Sequence, residues 1–221
     1  MRISKRLKAI TNFIDENDRI IDIGCDHALF DIYLKEEYPD INIIATDISE
    51  GAIKQAKKNI LKYNLEDEID VRLGNGLEVV DKEEFDTIVI SGMGYYTITD
   101  ILNNIDKLAN VKKIILQSNT DIVKLRKSII KLGYKIDDEM LVEDKDIVYT
   151  IIKFVPGEEK YNYKQIYFGP RLMEKKDELF NEYYSKKLLK YENLLLQLPA
   201  KDIINRLHHM KLIKIIKEEL N

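Results

Sequence analysis

The feature that most constrains this chain is an alternation. Between Arg19 and about Lys153, short β-rich runs take turns with longer amphipathic stretches. The runs fall at 19–23, 41–46, 70–73, 87–91 and 113–117. They carry Ile20, Ile21 and Ile23, then Ile43 and Ile44, then Ile88, Val89 and Ile90. β-Branched residues in near-continuous apolar runs suit strands covered on both faces. Stretches 29–37, 50–63, 97–108 and 120–132 have helical spacing. Ser49 is placed to cap the second of these and Gly133 to stop the last. Strand and helix in turn predict a parallel sheet with helices on both sides.

The pattern changes after Leu132. Stretches 135–143 and 146–154 read as consecutive strands joined by the polar turn Asp144-Lys145. With no helix between them they form an antiparallel hairpin at the sheet edge. The expected fold class is therefore α/β, a Rossmann-like sheet, mostly parallel with an antiparallel edge hairpin, which resembles the class I methyltransferase sheet. Pro156-Gly157-Glu158-Glu159 breaks the pattern as a linker does. Beyond Gly169-Pro170 the chain turns helical. Phe180, Tyr184, Leu188, Tyr191, Leu195 and Leu198 recur at spacings of three and four up to Pro199. Ile203, Leu207, Met210, Ile213, Ile216 and Leu220 repeat the stripe. Two such helices predict a coiled-coil-like α-helical hairpin. The domains expected are 1–157, binding a cofactor, and 158–221, the helical hairpin.

Composition excludes several classes. At 221 residues with 45% hydrophobic and 33% charged, the chain suits a globular protein. No apolar run is long enough to span a bilayer, so no membrane partner and a cytoplasmic location are expected. Cys25 alone makes neither a disulfide nor a cysteine-based zinc cluster, and three histidines show no metal spacing, so no metal is expected. The net charge of −4 is unevenly spread: from Lys160 onward 13 Lys and Arg face 8 Asp and Glu, leaving −9 on the rest. A basic appendage fits either a polyanion partner or a solvated lysine-rich surface.

The polar signals gather at strand ends. Asp22-Ile23-Gly24-Cys25-Asp26-His27-Ala28 follows the first strand, where an open α/β sheet faces its ligand. Gly24 lets backbone turn tightly and approach a ligand. Asp26 and Ala28 stand where a dinucleotide fingerprint would have glycines. An acidic side chain there repels a pyrophosphate but suits a sulfonium and an ammonium, which favours S-adenosylmethionine over NAD. Asp47 ends the second strand, roughly 20 residues on, where a ribose diol is held, although a helix N-terminal acid reads the same way. Ile48 is set to pack on an adenine ring. Gly74-Asn75-Gly76 ends the third strand, with Asn75 able to pair with an adenine edge. Ser91-Gly92-Met93-Gly94 ends the fourth, with Met93 lining the donor site. Leu116-Gln117-Ser118-Asn119 ends the fifth, where Asn119 either reaches a substrate or caps the next helix. Asp22, Gly24, Asp26, His27, Asp47, Ile48, Gly74, Asn75, Gly76, Gly92 and Met93 are thus the expected cofactor-binding residues.

These motifs carry a resemblance. Ile3-Ser4-Lys5-Arg6-Leu7, the Asp22–Ala28 loop, Leu73-Gly74-Asn75-Gly76-Leu77, Gly92-Met93-Gly94, Leu116-Gln117-Ser118-Asn119 and Phe168-Gly169-Pro170 are similar to segments of the bacterial tRNA (adenine-22-N1)-methyltransferases, the TrmK type. The likeness runs over nearly the whole chain, and the Asp-His-Ala form of the glycine loop is its most specific part. Cys25, Ser118 and Tyr95 depart from the family pattern. Ser118 replaces a proline and is expected to loosen its loop. Tyr95 replaces a glycine and would narrow the pocket or offer a stacking face.

The resemblance implies methyl transfer from S-adenosylmethionine to N1 of an adenine in tRNA; the sequence leaves the oligomeric state open, with a monomer as the expectation. Asp26 and Asn119 are the expected catalytic residues, Asp26 either stabilising charge or holding the donor's ammonium, with His27 orienting it or packing the loop. Arg2, Lys5, Arg6, Lys8, Arg171 and Arg206 are candidates to hold tRNA phosphates. Other acceptors, or a non-catalytic RNA-binding role on this fold, stand as alternatives.

Overall fold

The computed structural model describes residues 1–221. The chain forms two compact units, Met1–Tyr161 and Asn162–Asn221.

The first unit is built on seven strands: β1 (Arg19–Ile23), β2 (Asn42–Asp47), β3 (Ile69–Leu73), β4 (Thr87–Met93), β5 (Lys113–Ser118), β6 (Tyr134–Asp144) and β7 (Ile147–Pro156). Their order is β3-β2-β1-β4-β5-β7-β6. β1 to β5 run parallel, and β7 enters antiparallel between β5 and β6. The expected turn lies one residue later: Lys145 and Asp146 both take positive φ, 52° and 64°. That pair of angles suits the twist of a two-residue hairpin.

Successive residues of a strand face opposite sides. Ile21, Ile23, Ile88, Ile90, Ile114 and Leu116 pack into one buried cluster, while Ile20, Ile43, Val89 and Ile115 pack into another across the sheet. This is why the runs read as continuously apolar. Five helices attend the sheet: α1 (Lys5–Ile10), α2 (Leu29–Glu37), α3 (Glu50–Lys62), α4 (Tyr95–Leu102) and α5 (Ile122–Lys131). Ser49 caps α3, accepting from the Ala52 N–H. The expected 97–108 helix begins two residues early and breaks after Leu102 into a separate 3₁₀ turn, Ile105–Leu108. Helix α1 is too short for a periodic signal; Ser4 Oγ caps it by accepting from the Leu7 N–H at 3.2 Å.

The first unit runs past 157 because Tyr161 packs on its core and its hydroxyl accepts from the Ile136 N–H at 2.8 Å. In the second unit, α6 (Tyr163–Phe168) and α7 (Pro170–Lys175) precede α8 (Glu178–Gln197) and α9 (Ile203–Leu220). Helix therefore starts before Gly169-Pro170. The overlooked signal is a capping box, Asn162 with Gln165. The α8–α9 pair is anchored by Phe168, Phe180 and Tyr184, whose rings lie 4.7–6.2 Å apart, centre to centre. The α9 stripe is shifted from expectation: Leu212, Ile215 and Ile216 are buried, while Ile203, Leu207 and Met210 are exposed. No helix is long and apolar enough to cross a membrane.

One ion pair lies wholly inside the first unit. Arg126 of α5 donates from Nε to Glu139 Oε1 of β6 at 2.7 Å, both buried. Removing one partner strands a charge in a low dielectric. Arg126→Ala is expected to cost about 3–5 kcal/mol in chemical denaturation, whereas a loss within about 1 kcal/mol, the range of surface pairs, would contradict this account.

Candidate active site

The sheet order reverses between β1 and β4, and the loops after these strands part there to leave a crevice. A cavity of about 390 Å³ fills it, walled by Asp22, Gly24, Asp26, His27, Asp47, Gly92 and Met93 among the expected residues, together with Arg6, Leu7, Cys25, Leu29, Phe30 and Ser91. Ile48, Gly74, Asn75, Gly76 and Asn119 do not wall it. Ile48 is largely exposed. The Gly74-Asn75-Gly76 turn is tied to the site through Gly74, whose N–H donates to the Asp47 carbonyl at 2.9 Å. A larger groove of about 940 Å³ lies along α3 and the edge strand β3 and shares none of the strand-end residues.

The glycine turn is fixed by geometry. Gly24 has φ +82°, and a Cβ there would collide with the Met93 side chain, so a larger residue would be strained and crowded. Its N–H and that of Cys25 both donate to the Thr46 carbonyl, at 2.8 and 3.0 Å, which locks the turn to β2. Asp26 and Ala28 then take positive φ, 50° and 54°. Asp47 holds two loops at once: Oδ2 accepts from the Asp26 N–H at 3.1 Å and Oδ1 from the Ser49 N–H at 2.9 Å.

Three carboxyls, those of Asp22, Asp26 and Asp47, wall this half of the cavity. Asp22 is buried at the end of β1. Burial foremost, with Asp47 nearby, pushes its pKa up to about 7 against the opposing charge of Arg6. Asp31 of α2 is fully buried and neither oxygen has a hydrogen-bond partner. Burial foremost, and then the neighbouring Asp22, raise its pKa well above the usual carboxylate range. The sequence signal was an acid inside the apolar run Leu29-Phe30-Asp31-Ile32. Asp26, by contrast, is exposed, with Oδ1 3.5 Å from His27 Nε2. The same burial and acids push the Cys25 thiol up, which makes it a packing residue and not a nucleophile.

The other half is polar and carries the Arg6 cation. Gln117 Oε1 accepts from Arg6 Nη1 at 2.6 Å, from the Gly92 N–H at 3.0 Å and from Ser91 Oγ at 3.1 Å. Gln117 Nε2 donates to Asn119 Oδ1, and Asn119 Nδ2 donates to the Gly92 carbonyl. Asn119 does not cap α5; Asp121 holds that position, without a side-chain bond. Ser118 tightens its loop instead of loosening it, donating to the Thr120 carbonyl at 2.7 Å. Tyr95 turns away from the cavity, packs on the core and bonds Ser128 through its hydroxyl. Two expected phosphate contacts are engaged elsewhere. Arg6 stands in the cavity wall, and Arg206 Nη1 donates to the Leu195 and Leu198 carbonyls at the end of α8.

Relatives place this arrangement. The sequence profile of TrmK, tRNA (adenine(22)-N(1))-methyltransferase, matches residues 20–219. The tRNA (adenine(22)-N(1))-methyltransferase of Bacillus subtilis is 32% identical over 195 residues, 85% of this chain and 82% of the relative. A Streptococcus pneumoniae protein solved in complex with S-adenosyl-L-methionine covers 100% of both chains at 32% identity and a TM-score of 0.90. M. capricolum TrmK in complex with S-adenosyl-homocysteine covers 100% of this chain and 98% of its own at 27% identity and a TM-score of 0.87. With sequence likeness and fold agreeing over nearly its whole length, the chain belongs to the TrmK family of tRNA (adenine(22)-N(1))-methyltransferases.

Proposed function

We propose that this chain transfers a methyl group from S-adenosylmethionine to N1 of adenine 22 in tRNA. The observation that carries the reading is the buried Asp22, which with Asp47 and Asp26 rings a glycine turn on the cavity wall. A buried carboxyl with a raised pKa is stabilised in its ionised form when a cation arrives beside it. Three acids suit an ammonium and a sulfonium and oppose a pyrophosphate. S-adenosylmethionine supplies an electrophilic methyl group on its sulfonium.

Each residue then has a task. Asp22 and the bare backbone at Gly24 hold the ammonium end. Asp47 keeps lone pairs for the ribose hydroxyls beyond the two N–H groups it already accepts. Exposed Ile48 packs on the adenine, and Asn75, in the turn between Gly74 and Gly76, meets its edge. Gly92 and Met93 leave room beside the reacting atoms. His27 sets the side chain of Asp26, which lies near enough to stabilise the positive charge that grows on the target ring. Asn119 faces the acceptor. The lone pair of N1 lies in the ring plane, so alignment with the sulfonium supplies much of the rate.

N1 sits on the pairing edge, so the base must be splayed or extruded before it reacts. The lysine-rich helical unit, Asn162–Asn221, holds tRNA through its phosphates, with Lys186, Lys190, Lys201 and Lys211 exposed for that purpose. Methyl transfer to a ring nitrogen needs no Lewis acid, so no metal belongs to this reading, in which the enzyme works as a cytoplasmic monomer.

Mass-spectrometric nucleoside analysis of tRNA incubated with protein and donor should find N1-methyladenosine at position 22; a different methylated nucleoside, or none, refutes the assignment. The pH dependence follows from Asp22. Its folded pKa lies above the unfolded value, so without donor its contribution to stability is full below the ordinary carboxylate range and is lost as pH rises through about 7. Donor binding needs the ionised form. Affinity by calorimetry should therefore rise between pH 5.5 and 7, approaching about tenfold per pH unit at the acid end. Asp22→Asn should bind weakly and flatten this profile; an unchanged slope would remove Asp22 from the ammonium site. Asp26→Ala should lower turnover about 100-fold at saturating donor, and wild-type turnover would end its catalytic assignment.

A further inference from the structure

Arg6 is a cation in the wall of a pocket suited to a cation, a costly placement unless the guanidinium is engaged elsewhere. Its Nη1 donates to Gln117 Oε1 at 2.6 Å and to Ser91 Oγ, and its Cζ lies 5.5 Å from the centre of the Tyr149 ring. Gln117 is fully buried, and its Oε1 also accepts from the Gly92 N–H at 3.0 Å. A guanidinium and a backbone N–H can only donate. Turning the amide over would set its NH₂ group against both, so one orientation is enforced.

The consequence passes along the chain of bonds. Gln117 Nε2 must donate, and Asn119 Oδ1 accepts from it at 3.0 Å. Asn119 Nδ2 is thereby aimed at the Gly92 carbonyl, 2.6 Å away. Asn119 is exposed, and its amide keeps one acceptor lone pair and one N–H unspent. An amide offering one acceptor and one donor matches N6 and N7 of adenine. That edge leaves N1 free for the incoming methyl group. Guanine shows two acceptors there and mismatches.

Resting on the function proposed above, we infer that Arg6 is a positioning residue for the acceptor base: through Gln117 it holds the Asn119 amide in the orientation that reads the N6/N7 edge of adenine. In this role Arg6 acts on the base through Gln117 and Asn119.

The test uses full-length protein and two tRNA transcripts, one natural and one with 7-deazaadenosine at position 22, which lacks the N7 acceptor. Wild type should lose about tenfold in kcat on the second transcript, the scale of one base-edge bond. At saturating donor, Arg6→Met should lose about tenfold in kcat on the natural transcript, with the KM for tRNA within about twofold of wild type, and should no longer distinguish the two transcripts. Arg6→Lys, which can still donate to Gln117, should recover most of the rate. Gln117→Glu keeps a partner for Arg6 but cannot donate to Asn119. It should behave as Arg6→Met does, and it decides the matter if Arg6→Met does not fold. A raised KM with a shallower salt dependence and intact kcat would make Arg6 a phosphate contact and overturn the proposal. Wild-type indifference to the N7 deletion, or a Gln117→Glu enzyme with wild-type kcat, would also overturn it. Absence of N1-methyladenosine from wild-type reactions would instead refute the function on which the proposal rests.

Discussion

The reversal of strand order between β1 and β4 is the constraint on which the site depends. Strands covered on both faces leave no room for polar side chains except at their ends, so the polar residues of this sheet collect where the strands stop. Where neighbouring connections leave in opposite directions, those ends cannot be roofed by one helix, and a crevice remains. Asp22, Asp47, Ser91 and Gln117 come from four different strands and meet at one edge for this reason.

The crevice has two unlike halves. On the β1 and β2 side, the carboxyls of Asp22, Asp26 and Asp47 define a setting for positive charge. Asp47 does structural and binding work together, because its two oxygens pin the loops whose shape makes the pocket. Asp31 is buried with no hydrogen-bond partner, and burial with the neighbouring Asp22 raises its pKa well above the usual carboxylate range. On the β4 and β5 side, an amide chain running from Arg6 to Asn119 has its donors and acceptors matched throughout. A satisfied network of this kind is rigid, and rigidity is what an in-line transfer requires.

The helical unit shows the opposite economy. Phe168, Phe180, Tyr184, Leu212 and Ile216 are buried, while Leu189, Leu196, Ile203, Ile204, Leu207 and Met210 are exposed toward the loop that joins α8 to α9. Two helices alone cannot cover both faces of each other, so the apolar stripe outruns its partner. Arg206, spent on the carbonyls of Leu195 and Leu198, closes the end of α8 that Pro199 would otherwise leave open.

Local chemistry determined much of this protein. Five parallel strands could be read from β-branched runs because full burial demands that composition, and the edge hairpin from two runs with no room for a crossover. The acid-bearing glycine turn favoured a cationic ligand, because a carboxylate beside the turn opposes a pyrophosphate. Tertiary structure decided what depends on contacts remote in sequence. Sequence made Arg6 a candidate phosphate contact; folding sends it 111 residues away to Gln117. Asn119 could equally have capped a helix until Gly92 claimed its amide. Tyr95 and Ser118 were judged by family expectation, yet their neighbours Ser128 and Thr120 set their roles. The raised pKa of Asp22 likewise comes from burial and from Asp47 on the next strand, which no spacing along the chain encodes.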